Sequence, residues 1–397
     1  MTMSTNGAGD LGIVLSGGGA RAAYQAGVLR GLARHFPQVS FPIITGVSAG
    51  AINASFLASH QGTPAEAALE LAQLWGGLQV EDIFRVDPPS LTREMVRWVR
   101  WATRLGGPAG EGLRGLVDTR PLRETIRRTS ATVDGELIGI ERNLHQGWLK
   151  AIALTALNYA TGQTVTWVQG KHIVPWTQPQ RRTHRTRMTV EHVMASAALP
   201  LVFPAVRLGD SWYGDGGVRL SAPLSPALRL GANRILSISP RYERSQEEAD
   251  RPQISGYPPA AQILSQLLDA VFLDVLDEDV RRLQGINQLI ERLPPDQRGD
   301  YRPVKMLVLR PSVDLGELAV DYEPRLPDPF RVIARSLGTN EGTTSDFLSM
   351  LMFQPDYLEC LLEIGEKDAT ARLPEIRALL GGSKKALEAQ ESLQGEL

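Results

Sequence analysis

Residues 11–32, LGIVLSGGGARAAYQAGVLRGL, decide the fold. Leu11–Leu15 is a short apolar run that ends in Ser16-Gly17-Gly18-Gly19. Ala20–Leu32 then carries apolar residues at helical spacing, with Ala, Leu and Gln favouring helix. The segment reads as strand, glycine turn, helix. The same order recurs at once in residues 43–58, IITGVSAGAINASFLA. There Ile43–Thr45 is strand-like, Gly46-Val47-Ser48-Ala49-Gly50 is a tight turn, and Ala51–Ala58 is apolar and helical. Two strand–turn–helix units in succession predict an α/β fold with a parallel sheet and crossover helices.

Working outward, further strands are expected at Ala151–Ala156, Thr164–Val168, Ala205–Leu208, Ile235–Ile238 and Val304–Leu309. Helices are expected at Val190–Ala197, Leu224–Leu230 and Ala260–Leu289. Beyond about Phe330 only helical periodicity remains, in Asp346–Phe353 and Pro355–Leu380. We therefore expect a catalytic α/β domain over residues 8–310, a helical C-terminal extension packed on it over 311–380, and a flexible polar tail over 381–397. Within the first of these, residues 81–130 are rich in Arg, Gly and Pro and are expected to form a helical cap or insert. At about 100° per residue, Arg93, Arg97, Arg100 and Arg104 share one stripe, with Leu91, Met95, Trp98, Ala102 and Leu105 opposite. Such a helix suits a membrane interface or a lid over an apolar pocket, and equally an ordinary surface helix with its apolar face on the core.

Composition narrows the class. Of 397 residues, 43% are hydrophobic and 22% charged, the balance of a soluble globular chain. The formal net charge of −2 lacks the basic footprint of a nucleic-acid partner, and none is expected. The single cysteine, Cys360, excludes an internal disulfide framework and a Cys-rich zinc site. The opening MTMSTNGAGD has no apolar core of a secretory signal, and no run reaches the roughly 18 apolar residues that span a bilayer. A cytoplasmic protein is expected, with peripheral contact at a membrane left open.

Gly46–Gly50 fits G-x-S-x-G between a strand and a helix, the setting of a nucleophile elbow. Flanking glycines let the backbone turn sharply, and the following helix N-terminus adds positive potential at Ser48. A serine nucleophile needs a base. The six histidines are His35, His60, His145, His172, His184 and His192, so the late histidine of an α/β-hydrolase triad is missing. Their spacings also fit no metal-ligand pattern. Asp215 is better placed. It follows the strand-like run Trp212-Tyr213-Gly214 and precedes Gly216-Gly217, a setting that exposes a carboxylate to close approach by other backbone. It reads either as a base for Ser48 or as an Asp-Gly hairpin turn. Gly17, Gly18 and Gly19 offer unhindered backbone N–H groups at a helix start, where an oxyanion would gather. Arg21 is placed to steady that loop or to bind an anionic head group.

The same loop also fits a dinucleotide fingerprint, Gly17-x-Gly19-x-x-Ala22. That reading wants an acidic residue some twenty positions later for the ribose. No Asp or Glu occurs between Leu11 and Ala65, which leaves only an NADP variant using Arg34. A nucleotide-binding oxidoreductase and a non-catalytic lipid-binding scaffold are therefore kept as alternatives.

Taken together, these motifs resemble the bacterial patatin-like phospholipase family. The glycine-rich block is Ser16–Arg21, the elbow Gly46–Gly50 and the acid motif Asp215-Gly216-Gly217. Supporting resemblance lies in VDTRPLRETI (117–126), ALTALNYATGQTV (153–165) and ASAALPLVFP (195–204), and the similar region spans about residues 10–240. The resemblance implies a three-layer α/β/α hydrolase with a mostly parallel sheet and a Ser–Asp dyad without histidine. It implies Ser48 as nucleophile, Asp215 as base and Gly17–Gly19 as oxyanion hole, with Gly46, Gly50, Gly216, Gly217 and Arg21 in support. It implies a phospholipid or other acyl-ester lipid as substrate, with no metal or cofactor. Trp98, Trp101, Leu199 and Phe203 are candidate lining for an acyl channel. Two positions depart from the family pattern. Ala22 stands where many members have Gly, and RLSAPLSP (219–226) lacks the Asn that often precedes the Pro, which is expected to reshape the pocket floor.

Overall fold

In the computed structural model the described residues are 10–85, 115–171, 173–200, 202–250, 257, 266, 270, 275–326 and 346–381. Among the described residues the strands are β1 (Asp10–Leu15), β2 (Ile43–Val47), β3 (Thr132–Val133), β4 (Glu136–Leu137), β5 (Ala151–Asn158), β6 (Thr164–Gly170), β7 (Thr177–Gln178), β8 (Arg181–Arg185), β9 (Val206–Leu208), β10 (Ser211–Asp215), β11 (Ala232–Ile238) and β12 (Lys305–Leu309). All but β3 and β4 join one sheet in the order β12-β11-β1-β2-β5-β6-β8-β7, with the β9–β10 hairpin attached to β5. The five strands from β12 to β5 are mutually parallel, as the paired strand–turn–helix units predict.

Those strands are apolar throughout because both of their faces are covered. Ile13, Leu15, Ile44, Ile152, Leu154, Leu236 and Ile238 point into one core, whereas Val14, Ile43, Ala151, Ala153 and Ile235 point into another. The alternation has the two-residue period of a strand. The first core receives α1 (Ala22–His35), α2 (Ala49–Ser59), α3 (Pro64–Gly77), α4 (Val80–Ile83), α5 (Arg120–Thr129), α6 (Ile138–Gln146) and α7 (Val190–Ser196). The second receives α8 (Ser225–Arg229), while α9 (Gln246–Ala249) is solvent-exposed and α10 (Val275–Arg292) packs beside α8. A three-layer α/β/α sandwich results.

The remaining helices are α11 (Leu315–Val320), α12 (Asp346–Leu351), α13 (Pro355–Ala371) and α14 (Leu373–Leu380). Expected as one helix, Pro355–Leu380 breaks at Arg372 because Pro374 cannot donate to the preceding turn. α13 lies on α1 at very short range. A Cβ on Gly27 would stand 2.2 Å from the Leu362 carbonyl oxygen, and one on Gly365 would stand 2.3 Å from that of Tyr24. Two glycines, one on each helix, let the backbones touch.

The expected strands all form, with ends shifted by a few residues. β8 carries no apolar pattern because its side chains lie mostly in solvent near the sheet edge, where charge discourages further pairing. Of the segment 81–130, residues 86–114 lie outside the described residues, and with them the Arg/Trp stripe, Trp98 and Trp101. So do His172 and residues 382–397. No helix among the described residues is long and apolar enough to cross a membrane. Gly27→Ala is expected to lower the free energy of unfolding by about 1–3 kcal/mol through overpacking of the α1–α13 contact, measured by urea denaturation.

Candidate functional site

The carboxyl end of β5 organises the site. β2 pairs with β5 as far as Val47 opposite Thr155, and its next residue is Ser48. β6 occupies the other edge of β5 up to Leu157. The antiparallel strand β10 must therefore take over the edge that β2 leaves, and it does so with Asp215 opposite Ala156. Ser48 and Asp215, 167 positions apart, thus meet end to end along one strand edge.

Ser48 has φ 56° and ψ −133°, a conformation non-glycine residues rarely adopt. It turns the chain directly from β2 into the N-terminus of α2, which is the strained geometry of a nucleophile elbow. The flanking glycines permit this turn. A Cβ on Gly46 would stand 2.5 Å from the Gly50 carbonyl oxygen, and one on Gly50 would stand 2.2 Å from that of Leu15. The Ser48 N–H donates to Ser196 Oγ at 3.1 Å, and Ser196 Oγ donates in turn to the Thr155 carbonyl at 2.6 Å.

Asp215 is fully buried. It ends β10 and caps the following 3-10 turn, accepting from the Gly217 N–H at 2.8 Å, so it is not the tip of a hairpin turn. Burial pushes its carboxyl up to about 7, opposed by the Ser48 hydroxyl as side-chain donor and by the Gly217 N–H. Asp215 Oδ2 makes no hydrogen bond of ordinary length. Such contacts commonly tighten only once substrate is bound. Gly216 lies against the Thr155 carbonyl, with 2.2 Å left for a Cβ.

The glycine loop leans on the same point. A Cβ on Gly17 would meet Ser48 Cβ at 2.8 Å, and Gly18 and Gly19 take φ of 154° and 57°. Gly18, Gly19 and Ser48 open together onto a cavity enclosing about 990 Å³ of empty space including its mouth. Its walls are apolar, among them Ile52, Leu71, Trp75, Leu122, Leu199 and Phe203. Of the candidate channel lining, Leu199 and Phe203 lie among the described residues and line this cavity. A smaller cavity of about 410 Å³ flanks the other side, bounded by Gly17, Val47 and Gly217 together with Leu220 and Pro223 from the departing RLSAPLSP segment.

Arg21 does not reach this cavity for an anionic head group. It is buried against Asp346 and Ser349 of α12. Arg34, the residue an NADP reading needs, pairs with Glu366 of α13. Three of the described histidines have partners of their own. His192 caps its own helix through Thr189 and stacks edge-on against Trp167, and burial lowers its pKa to about 4. His60 faces Glu70 and His145 faces Glu141.

Sequence reasoning missed Ser196, Gln25 and Asn53. Gln25 Nε2 donates to the Ser16 carbonyl at 2.7 Å, tying down the glycine loop from behind. Asn53 Nδ2 donates to Gln25 Oε1 at 3.0 Å, and Trp75 Nε1 donates to Asn53 Oδ1 at 2.7 Å. The usable signal was a lone amide inside an otherwise apolar helical run, since such a group must find partners when buried.

Comparison with known proteins adds the family. The model of the patatin-like phospholipase family matches residues 13–228, more than half of the chain. A comparison with curated proteins found no match. Among solved structures, similarity extends to VipD from Legionella pneumophila (14% identity, TM-score 0.31), covering 89% of this chain and 67% of that one. It extends also to the type III effector protein ExoU (16%, TM-score 0.35), with 92% and 53% covered. Human GIVD cytosolic phospholipase A2 is similar at 12% identity and TM-score 0.47, with 94% and 60% covered. The chain spans between about half and two thirds of the length of these proteins. By its matching region and the motifs that region contains, the chain belongs to the patatin-like phospholipase family.

Proposed function

We propose that this protein hydrolyses acyl esters of lipids, as a phospholipase A, lysophospholipase or carboxylesterase, through Ser48 and Asp215. The observation that carries this reading is the approach of those two residues along one edge of β5, with Ser48 opening onto an apolar cavity. Family membership favours a lipid substrate.

In the proposed reaction Asp215 takes the Ser48 proton as the hydroxyl oxygen attacks the ester carbonyl. The oxyanion rests on the Gly17–Gly19 amides, each donor of this kind being worth about 2.7–4 kcal/mol. Collapse expels the alcohol, which takes the proton from Asp215. Water then gives a proton to Asp215 and attacks the acyl-serine, and as the fatty acid leaves Asp215 returns that proton to Ser48 Oγ. The acyl chain occupies the large apolar cavity. Because Asp215 must be ionised to act, its raised pKa sets the working range.

Five outcomes are expected. A fluorophosphonate probe labels wild type, and Ser48→Ala abolishes the labelling; equal labelling of both proteins removes Ser48 from its role and favours a non-catalytic scaffold. Asp215→Asn lowers turnover of a lipid ester by about 10²–10⁴-fold. In wild type, kcat/KM should rise with pH and level off above about 7. The same group makes a stability prediction. Its folded pKa lies above the unfolded value, so the native state keeps a proton that the unfolded chain has lost, and stability falls as pH rises from about 4 to about 7. Asp215→Asn is therefore expected to be more stable than wild type at pH 8, with the difference shrinking toward pH 4, as thermal melts at both pH values would register. Ser196→Ala leaves the Ser48 N–H and the Thr155 carbonyl without their shared partner, and a loss of about 1–3 kcal/mol is expected in urea unfolding.

A further inference from the structure

We propose that Asp346, which lies in α12 beyond the family match, is a positioning residue for the Gly17–Gly19 loop and acts through Arg21. The inference rests on the reading of that loop as the oxyanion hole.

Arg21 closes the short 3-10 turn Gly19–Arg21 that carries the glycine loop into α1. Its side chain is 2% exposed and leads into the C-terminal helices. Nη2 pairs with the Asp346 carboxylate, and Nε donates to Ser349 Oγ. Ser349 Oγ donates onward to the Asp346 carbonyl at 2.6 Å, so one guanidinium grips both ends of the first turn of α12. The next residue of that helix completes the contact. The Met350 carbonyl oxygen stands 2.1 Å from where a Cβ on Gly19 would be. The loop is thereby held on three sides: Ser48 against Gly17, Pro240 against Gly18 and Met350 against Gly19.

Charge makes this grip specific. Burial alone would lower the Arg21 pKa, and Asp346 reverses that. Burial alone would raise the Asp346 pKa, and Arg21, helped by Arg244 and Arg241, reverses that in turn. Each charge is compensated chiefly by the other, with Asp314 adding to the support of Arg21. A buried pair of this kind adds little net stability, yet removing one partner strands the other. An uncompensated guanidinium would have to turn out of its site, dragging the turn that begins at Gly19. Displacement of a reacting group or donor by about 1 Å costs on the order of 10²-fold in rate. The same helix contributes Met350 and Leu351 to the wall of the large cavity, so loop and acyl site share one support.

The test uses the full chain with Asp346→Asn, Asp346→Glu and Ser349→Ala, a soluble short-chain ester, and amide hydrogen exchange of a peptide covering residues 15–22. Asp346→Asn should lower kcat by about 10–100-fold with KM within about twofold, and should speed exchange in that peptide above the rest of the protein. Asp346→Glu should recover part of kcat, and Ser349→Ala should show both effects more weakly. Wild-type kcat and exchange in folded Asp346→Asn would overturn the proposal, as would a kcat loss no larger than the loss of folded protein by circular dichroism. If Asp346→Asn does not fold, Ser349→Ala decides by the same two readouts. Absence of ester hydrolysis by wild type would sink the proposed function, whereas loop exchange would still decide whether Asp346 holds the loop.

Discussion

One strand edge governs this molecule. β2 and β10 share the same side of β5, arriving from opposite directions, and each stops where the other begins. Hydrogen-bond register therefore fixes the separation of Ser48 and Asp215 more firmly than any contact between their side chains could. A slip of one residue in either strand would turn every side chain to the other face. Register is protected by burial on both faces of β2 and β5, whose residues feed two separate cores.

The price of that placement is concentrated in a few positions. Ser48 holds a backbone conformation that costs of order 1–3 kcal/mol, and Asp215 lies where ionisation is unfavourable. Around them Gly17, Gly46, Gly50 and Gly216 occupy places where a Cβ would collide with backbone or with Ser48 itself. Polar groups behind the site are joined into chains, Ser196 to Thr155 on one side and Gln25 to Asn53 to Trp75 on the other. Strain in front is thus met by satisfied hydrogen bonds behind, so the candidate site breaks local rules only where its surroundings compensate.

Much of this was legible in the residues. Leu11–Leu15 and Ile43–Thr45 announced buried parallel strands because their apolar runs are uninterrupted, and the glycines after them announced sharp turns. The choice of Ser48 and Asp215 as a candidate pair followed from motif order and from the missing late histidine. The attachment of β10 to β5 did not, since strand pairing across such a distance leaves no local trace. Arg21 misled for a related reason. An arginine beside a glycine loop looks available to an anion, and only the tertiary contact with Asp346, 325 positions away, shows it engaged. β8 was invisible because RRTHR carries no apolar side chain and buries only Thr183. The glycines of the α1–α13 crossing, Gly27 and Gly365, read as ordinary helix weakening until the two backbones are seen touching.

The engagement of α12 with the glycine loop also has a consequence for biosynthesis. Translation delivers Gly17 and Ser48 first, Asp215 later and Asp346 later still. Until residue 215 emerges the edge of β5 awaits its second occupant, and until residue 346 emerges the glycine loop lacks one of its walls. A nascent chain that stops short of Asp346 therefore cannot hold that loop as the folded structure holds it.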